Sequence, residues 1–114
     1  MNKKSIHNND LEHILHSPEI IGLNAKDFDI RIKECSIYNG PNIIASPDIL
    51  FYSTRNKHLI IFEYKTTYGD AQLIKAQQQC NKTNEILLNK ISELKNIQID
   101  KIIGYEKYNY RGVK

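Results

Sequence analysis

Two apolar segments in the middle of the chain decide the fold: SPDILFY at residues 46–52 and LIIFEYK at residues 59–65. Both are rich in β-branched and aromatic residues and almost unbroken in apolar character, which is typical of central strands covered on both faces. The polar stretch TRNK at residues 54–57 has the composition of a tight turn between them. We therefore predict adjacent antiparallel strands at about residues 43–53 and 58–66.

Charged residues interrupt both strands, and the hairpin brings them together. A carboxylate within an apolar strand is costly to bury unless another group holds it. If the turn is centred on residues 55–56, Asp48 faces Glu63 across the pair with Cβ atoms about 5 Å apart. Side chains alternate along a strand, so Lys65 projects on that same face and Tyr64 on the other. The prediction depends on the register, because a slip of one residue reverses the faces.

The remaining elements extend this hairpin into a layered domain. We expect a first helix that starts at Asn8 or Asn9, a half-exposed strand from Phe28 to Tyr38, a long helix from Asp70 to about Lys95, and a last strand from Ile99 to Tyr105. A right-handed crossover through the long helix makes the last strand parallel to the one that ends at Lys65. The order is helix, three strands, helix, strand, which predicts an α/β fold with a mixed central sheet flanked by helices.

Length and composition indicate one soluble globular domain that covers residues 1–114. Hydrophobic residues make up 40% of the chain and charged residues 25%, both ordinary values for such a domain. The net charge of +3 permits a nucleic-acid partner without requiring one. Cys35 and Cys80 fit no zinc spacing, and reduced thiols are the expected state.

The chain contains no apolar stretch of the roughly 20 residues that a membrane span needs. Its basic start, MNKKS, is not followed by the apolar segment of a secretory signal. We therefore expect a cytoplasmic protein with no membrane partner.

Two carboxylates beside an ammonium suit a divalent metal that acts on a phosphodiester. Mg²⁺ prefers hard oxygen ligands and usually takes one or two carboxylates while keeping several waters. Asp48 and Glu63 are the expected ligands, with the backbone carbonyl of Tyr64 as a neutral third. Lys65 would orient the attacking water or stabilise charge on the phosphate. The alternative is a structural ion pair between Lys65 and the two acids.

These residues resemble the PD-(D/E)xK nuclease superfamily of restriction-endonuclease-like folds. Pro47-Asp48 matches the first half of the motif and Glu63-Tyr64-Lys65 the second, and the element order matches the family's αβββαβ core over nearly the whole chain. Within the superfamily, the motif residues of this sequence are most similar to those of small archaeal-type Holliday-junction resolvases and NucS-like endonucleases. The resemblance implies an Mg²⁺-dependent DNA endonuclease, with Mn²⁺ as a substitute, that acts on branched or otherwise structured DNA.

The resemblance also assigns two residues outside the hairpin. The opening segment, DLEHILHSPEII at residues 10–21, looks like a family helix whose glutamate reaches the metal, which makes Glu12 a further catalytic and metal-binding candidate. The segment AQQQC at residues 76–80 looks like a family helix signature that makes Gln79 the site glutamine. Gln72 and Gln77 compete with Gln79, and a solvated helix face remains the alternative for each. Ordinary surface roles are the alternatives for Glu12, Glu34, His13 and His16, and for Glu34 and the two histidines we prefer them.

The end of the chain interleaves bases with tyrosines, which suits phosphate contact and base stacking. The candidate nucleic-acid contacts are Lys107, Arg111 and Lys114; the alternatives are a frayed strand end or a dimer contact. So small a domain offers little surface for recognising a long site, so we expect a homodimer. Two rival functions remain: a restriction, mobile-element or RNA-cleaving nuclease with the same site, or a non-catalytic binding or assembly module.

Overall fold

A computed structural model describes residues 3–65, 69–90, 96–105 and 111–113 of the chain. The helices are α1 (Lys3–His16), a short 3-10 helix (Pro18–Ile21) and α2 (Asp70–Lys90). The strands are β1 (Ile30–Lys33), β2 (Ile37–Asn39), β3 (Asn42–Ala45), β4 (Ile49–Ser53), β5 (His58–Lys65), β6 (Gln98–Tyr105) and β7 (Arg111–Val113). Five strands form one sheet in the order β1-β4-β5-β6-β7, and β2 pairs with β3 in a separate hairpin.

The large sheet is mixed, as predicted. Its β1–β4, β4–β5 and β6–β7 pairs are antiparallel, whereas β5 and β6, joined through α2, are parallel. The register of the central hairpin also agrees with the prediction, because Ile49 lies opposite Phe62 and Tyr52 opposite Leu59. The mixed α/β architecture, with β6 parallel to β5 as predicted, is therefore confirmed.

The prediction of one strand from Phe28 to Tyr38 is wrong. β1 ends at Lys33, and Glu34 takes a left-handed conformation with φ of 53° that turns the chain out of the sheet. The Glu34 N–H donates to the Asp48 carbonyl oxygen at 2.7 Å, which fixes this turn beside the start of β4. The chain then forms the β2–β3 hairpin around Gly40, whose φ of 61° suits glycine.

The predicted strand at residues 43–53 is divided in two for a local reason. β3 ends at Ala45 and β4 begins at Ile49, and Pro47 between them has no N–H to give to a ladder. Asp48 consequently lies in a short break just before β4, where its side chain is half-buried. The expected element order is therefore present, with the β2–β3 hairpin inserted and β7 added.

The start of α2 was predicted correctly, whereas the start of α1 was not. α1 begins at Lys3, so Asn8 and Asn9 lie inside the helix and do not cap it. α2 begins at Asp70 as predicted, and the predicted end near Lys95 lies outside the described residues.

Two hydrophobic clusters cover the two faces of the sheet. On one face, α1 and the 3-10 helix pack against alternate sheet residues; this cluster contains Leu11, Ile14, Ile21, Phe28, Ile49, Phe51, Ile60, Phe62 and Tyr64. On the other face α2 covers Leu50, Leu59, Ile61 and Ile103 with Ala76, Cys80 and Leu87. Because Ile61 is under α2 and side chains alternate along β5, Glu63 and Lys65 belong to the α2 face.

Neither cysteine is in a disulfide, as expected. Cys80 is buried, and burial raises the pKa of its thiol to about 12, which disfavours the thiolate. In the described ranges, no helix combines the length and apolar character needed to cross a bilayer.

Candidate functional site

Asp48 and Glu63 meet where β4 begins and β5 ends. One further step along the β4–β5 register from Ile49 and Phe62 places the two acids opposite each other. The Glu63 side chain is only 3% exposed. Asp48 Oδ2 accepts a hydrogen bond from the backbone N–H of Tyr64, the residue after Glu63, at 2.7 Å. The structure thus brings together the pair that the register predicts.

The environment of this pair disfavours two negative charges. Burial first, and then the charge of Asp48, raise the pKa of Glu63 to about 9, while the nearby Lys65 ammonium acts in the opposite direction. At neutral pH this raised pKa favours a proton on Glu63. A divalent cation between the two carboxylates would take the place of that proton. The donors present, two hard carboxylates in a half-buried recess, suit Mg²⁺ or Mn²⁺.

The backbone of Tyr64 completes this side of the site. In an antiparallel strand, the N–H and C=O of one residue point to the same side. Because the Tyr64 N–H points to Asp48, its carbonyl is directed to that side as well. On the opposite face, the Tyr64 hydroxyl donates to Asp10 Oδ2 at 2.6 Å and its ring stacks on Phe62. These contacts hold the strand in place behind the acids.

An open cleft of about 170 Å³ lies beside Glu63. Ala45 and Ser46, at the end of β3, form one wall, and Gln79, Lys82 and Thr83 of α2 form another. Of the three competing glutamines, Gln79 is the one that lines this cleft. Lys82 was missed from the sequence, although a residue three positions after Gln79 occupies the same side of a helix. That spacing was the signal that would have found it.

Glu12 is held away from the acid pair. Its Oε1 lies 2.5 Å from Lys33 Nζ and its Oε2 lies 3.2 Å from His16 Nε2. The hydrogen bond from Lys33 lowers the pKa of Glu12. These contacts lie on the α1 face of the sheet, where Leu11, the residue before Glu12, is packed. The structure therefore does not bring Glu12 to Asp48 and Glu63, and His16 is an exposed partner of Glu12.

Two carboxylates rather than three define the site. Within the described parts of the chain, no three His, Cys, Asp or Glu side chains converge as a metal-binding group. A cation held here would take Asp48, Glu63 and the Tyr64 carbonyl, and would complete its shell with water, as Mg²⁺ commonly does. Glu34 is exposed, which agrees with the surface role that we prefer for it. Its backbone N–H donates to the backbone carbonyl of Asp48.

The candidate nucleic-acid contacts at the end of the chain are mostly outside the described residues. Lys107 and Lys114 lie there, and Arg111 is described as the first residue of β7, opposite Ile103. The part of the site that can be described is the acid pair, Lys65 and the cleft. No protein-family model and no curated protein matches this chain, so its function rests on these contacts.

Proposed function

We propose that this chain is a divalent-metal-dependent endonuclease that hydrolyses phosphodiester bonds in DNA. The observation that carries the proposal is the pairing of two carboxylates across the β4–β5 register, Glu63 buried and Asp48 half-buried, with Lys65 on the same face and an open cleft beside Glu63. Two like-charged groups in low dielectric are unfavourable unless a proton or a cation lies between them. A carboxyl group such as Glu63, whose pKa is strongly raised and which lines a cleft, is typical of functional sites.

The residues divide the chemistry between them. A metal ion held by Asp48 and Glu63 supplies Lewis-acid activation of a water and of the phosphate. Tyr64 fixes Asp48 through its N–H, so the carboxylate is positioned before substrate arrives. The Lys65 ammonium stabilises the negative charge that develops on the phosphate. Gln79 lines the cleft, where its amide can donate to a phosphate oxygen.

The fold we infer is restriction-endonuclease-like. Support comes from the order of helix, three sheet strands, helix and parallel strand, and from the position of the acids on the two central strands. The inserted β2–β3 hairpin contributes the wall of the cleft opposite α2. A domain of this size recognises DNA better through phosphate contacts and deformability than through base edges, which favours branched or distorted DNA as substrate.

The proposal includes a second copy of the chain. β1 is an edge strand, and on its α2 face Ile30 and Ile32 are 41% and 44% exposed. Two β1 strands that pair antiparallel about Arg31 place Ile30 of one copy opposite Ile32 of the other, which buries all four side chains together. Arg31 does not oppose this arrangement, since its guanidinium donates to three backbone carbonyls of its own chain.

The test is cleavage of labelled linear, nicked, flapped and four-way DNA, and of RNA, in Mg²⁺, Mn²⁺ or chelator. We expect metal-dependent cleavage of the branched substrates, lost by roughly 100-fold or more in Asp48→Asn and Glu63→Gln. Asp27→Asn is the matched control, because Asp27 lies 4.0 Å from Arg55 of the turn between β4 and β5, at the other end of the hairpin.

Activity without metal, or full activity in Asp48→Asn, would contradict the proposed site. Cleavage of RNA alone would favour the RNA-directed alternative. DNA binding without cleavage of any substrate would favour the non-catalytic module.

A further inference from the structure

One side of α2 carries glutamine and lysine in a repeating pattern. Gln72, Lys75, Gln79 and Lys82 are spaced by three, four and three residues, which places them along one side of a helix. Lys75, Gln79 and Lys82 are exposed, and Gln72 is half-buried. We call these four residues the Gln/Lys stripe. A helix surface of this kind presents cations and amide donors along a single line.

The stripe leads directly into the candidate site. Gln79 and Lys82 line the cleft that also contains Glu63. The helix rises about 1.5 Å per residue, so Lys75 lies about 10 Å further along the axis than Lys82. The stripe therefore runs from the cleft towards the start of α2. An extended ligand bound in the cleft can therefore continue along the Gln/Lys stripe.

The two lysines of the stripe are free to bind an anion. Among the described residues neither Lys75 nor Lys82 forms an ion pair, and Lys82 forms none with Glu85 although the two are only three positions apart. Lys33 binds Glu12 and Lys101 donates to Asn81, whereas the side chains of Lys26 and Lys57, among the described residues, form no ion pair but lie far from the cleft. Positive charge without an internal partner beside a carboxylate site favours an anionic ligand.

We propose that the Gln/Lys stripe is the surface along which one nucleic-acid strand lies as it enters the site. This inference rests on the proposed function and adds where the substrate binds. A DNA strand advances about 3.4 Å per nucleotide, so the two lysines span about three nucleotides. Lys82 contacts the phosphate next to the cleft and Lys75 one further from it. The glutamine amides donate to phosphate or sugar oxygens, contacts that position a strand without reading its sequence.

The experiment compares two double variants with equal loss of charge. Lys75→Gln with Lys82→Gln removes the cations of the stripe. Lys26→Gln with Lys57→Gln removes two exposed lysines near the turn between β4 and β5, at the opposite end of β5 from Glu63. Binding of a fluorescein-labelled DNA duplex, and of its single strand, is measured by anisotropy in chelator over a series of salt concentrations. Thermal unfolding checks that both variants are folded.

We expect the stripe variant to bind DNA more weakly than the wild type. For a duplex, the slope of log affinity against log salt should flatten by about 1.8, because each lost phosphate contact removes about 0.9. The control variant should keep the slope of the wild type. An unchanged slope in the stripe variant, or equal losses in both variants, would overturn the inference.

Failure of this inference can be told apart from failure of the nuclease function. Binding is measured without metal, so it does not depend on cleavage. If the wild type cleaves DNA and the stripe variant keeps its slope, the strand lies elsewhere and the inference is overturned. If the wild type cleaves nothing but the stripe variant loses its phosphate contacts, the nucleic-acid surface is supported and the nuclease function is not.

Discussion

The backbone N–H of Tyr64 donates to Asp48 Oδ2 at 2.7 Å, which ties β5 to the residue just before β4. Pro47 prevents the ladder from extending past Asp48, so a side chain takes over the bond that a strand backbone would make. The same contact holds Asp48 opposite Glu63. A break in a strand thus places the Asp48 carboxylate at the rim of the sheet, beside Glu63, which lines the cleft.

The stability of the metal-free protein should fall as pH rises. The pKa of Glu63 is raised to about 9 in the folded protein from its ordinary value of 4.5, so between these values the folded state binds more protons than the unfolded state. The stabilising contribution is complete below the lower value and is lost towards the higher one. Urea unfolding in chelator at several pH values between about 5 and 9 measures this loss.

Glu63→Gln provides the comparison for that prediction. The amide cannot ionise, so the variant should lack this part of the pH dependence and should exceed the wild type in stability at alkaline pH. Parallel curves for the two proteins would show that Glu63 titrates normally.

Divalent metal should stabilise the fold, and more strongly as pH rises. A cation that binds the native state alone adds RT ln(1 + [L]/Kd) to the unfolding free energy. Because the cation competes with the proton on Glu63, its apparent affinity increases with pH. Thermal unfolding with and without Mg²⁺ or Mn²⁺ measures the effect. Asp48→Asn should abolish the shift in Tm, and Asp27→Asn should keep it; an equal shift in both would place the metal elsewhere.

The central pairing could be predicted from sequence because it is local. Asp48 and Glu63 belong to strands joined by a four-residue turn, and the turn sets the register. The end of β1 could not be predicted in this way. The alternation of the sequence continues past Glu34, and what stops the strand is a bond from Glu34 to Asp48, a residue distant in sequence.

Glu12 shows the same limit for the site. Its position on the first helix agrees with the resemblance, but its partner is set by packing, which places Lys33 of β1 within 2.5 Å. The helix pattern of the sequence carries no information about which strand lies beneath. Lys82 is the opposite case, since its spacing of three residues from Gln79 was a signal present in the sequence.

Lys65→Ala should lose most of the chemical step and little of the binding. The ammonium lies near Glu63, and removal of one preorganised charge of this kind costs roughly 100- to 1,000-fold in kcat. A single phosphate contact among several is a small part of affinity for DNA. Single-turnover cleavage and anisotropy separate the two effects, with Lys26→Ala as the control. Equal losses in binding and turnover would make Lys65 a docking residue.

The edge strand β1 should mediate association of two copies. Ile32→Lys puts a charge where two β1 strands would bury four isoleucines, so it should shift the protein towards the monomer without unfolding it, because Ile32 is 44% exposed. Ile74→Lys is the matched control, since Ile74 is 54% exposed and lies on α2. Sedimentation velocity over a range of concentrations measures both. A wild type that sediments as a monomer throughout, or equal dissociation in both variants, would remove β1 as the interface.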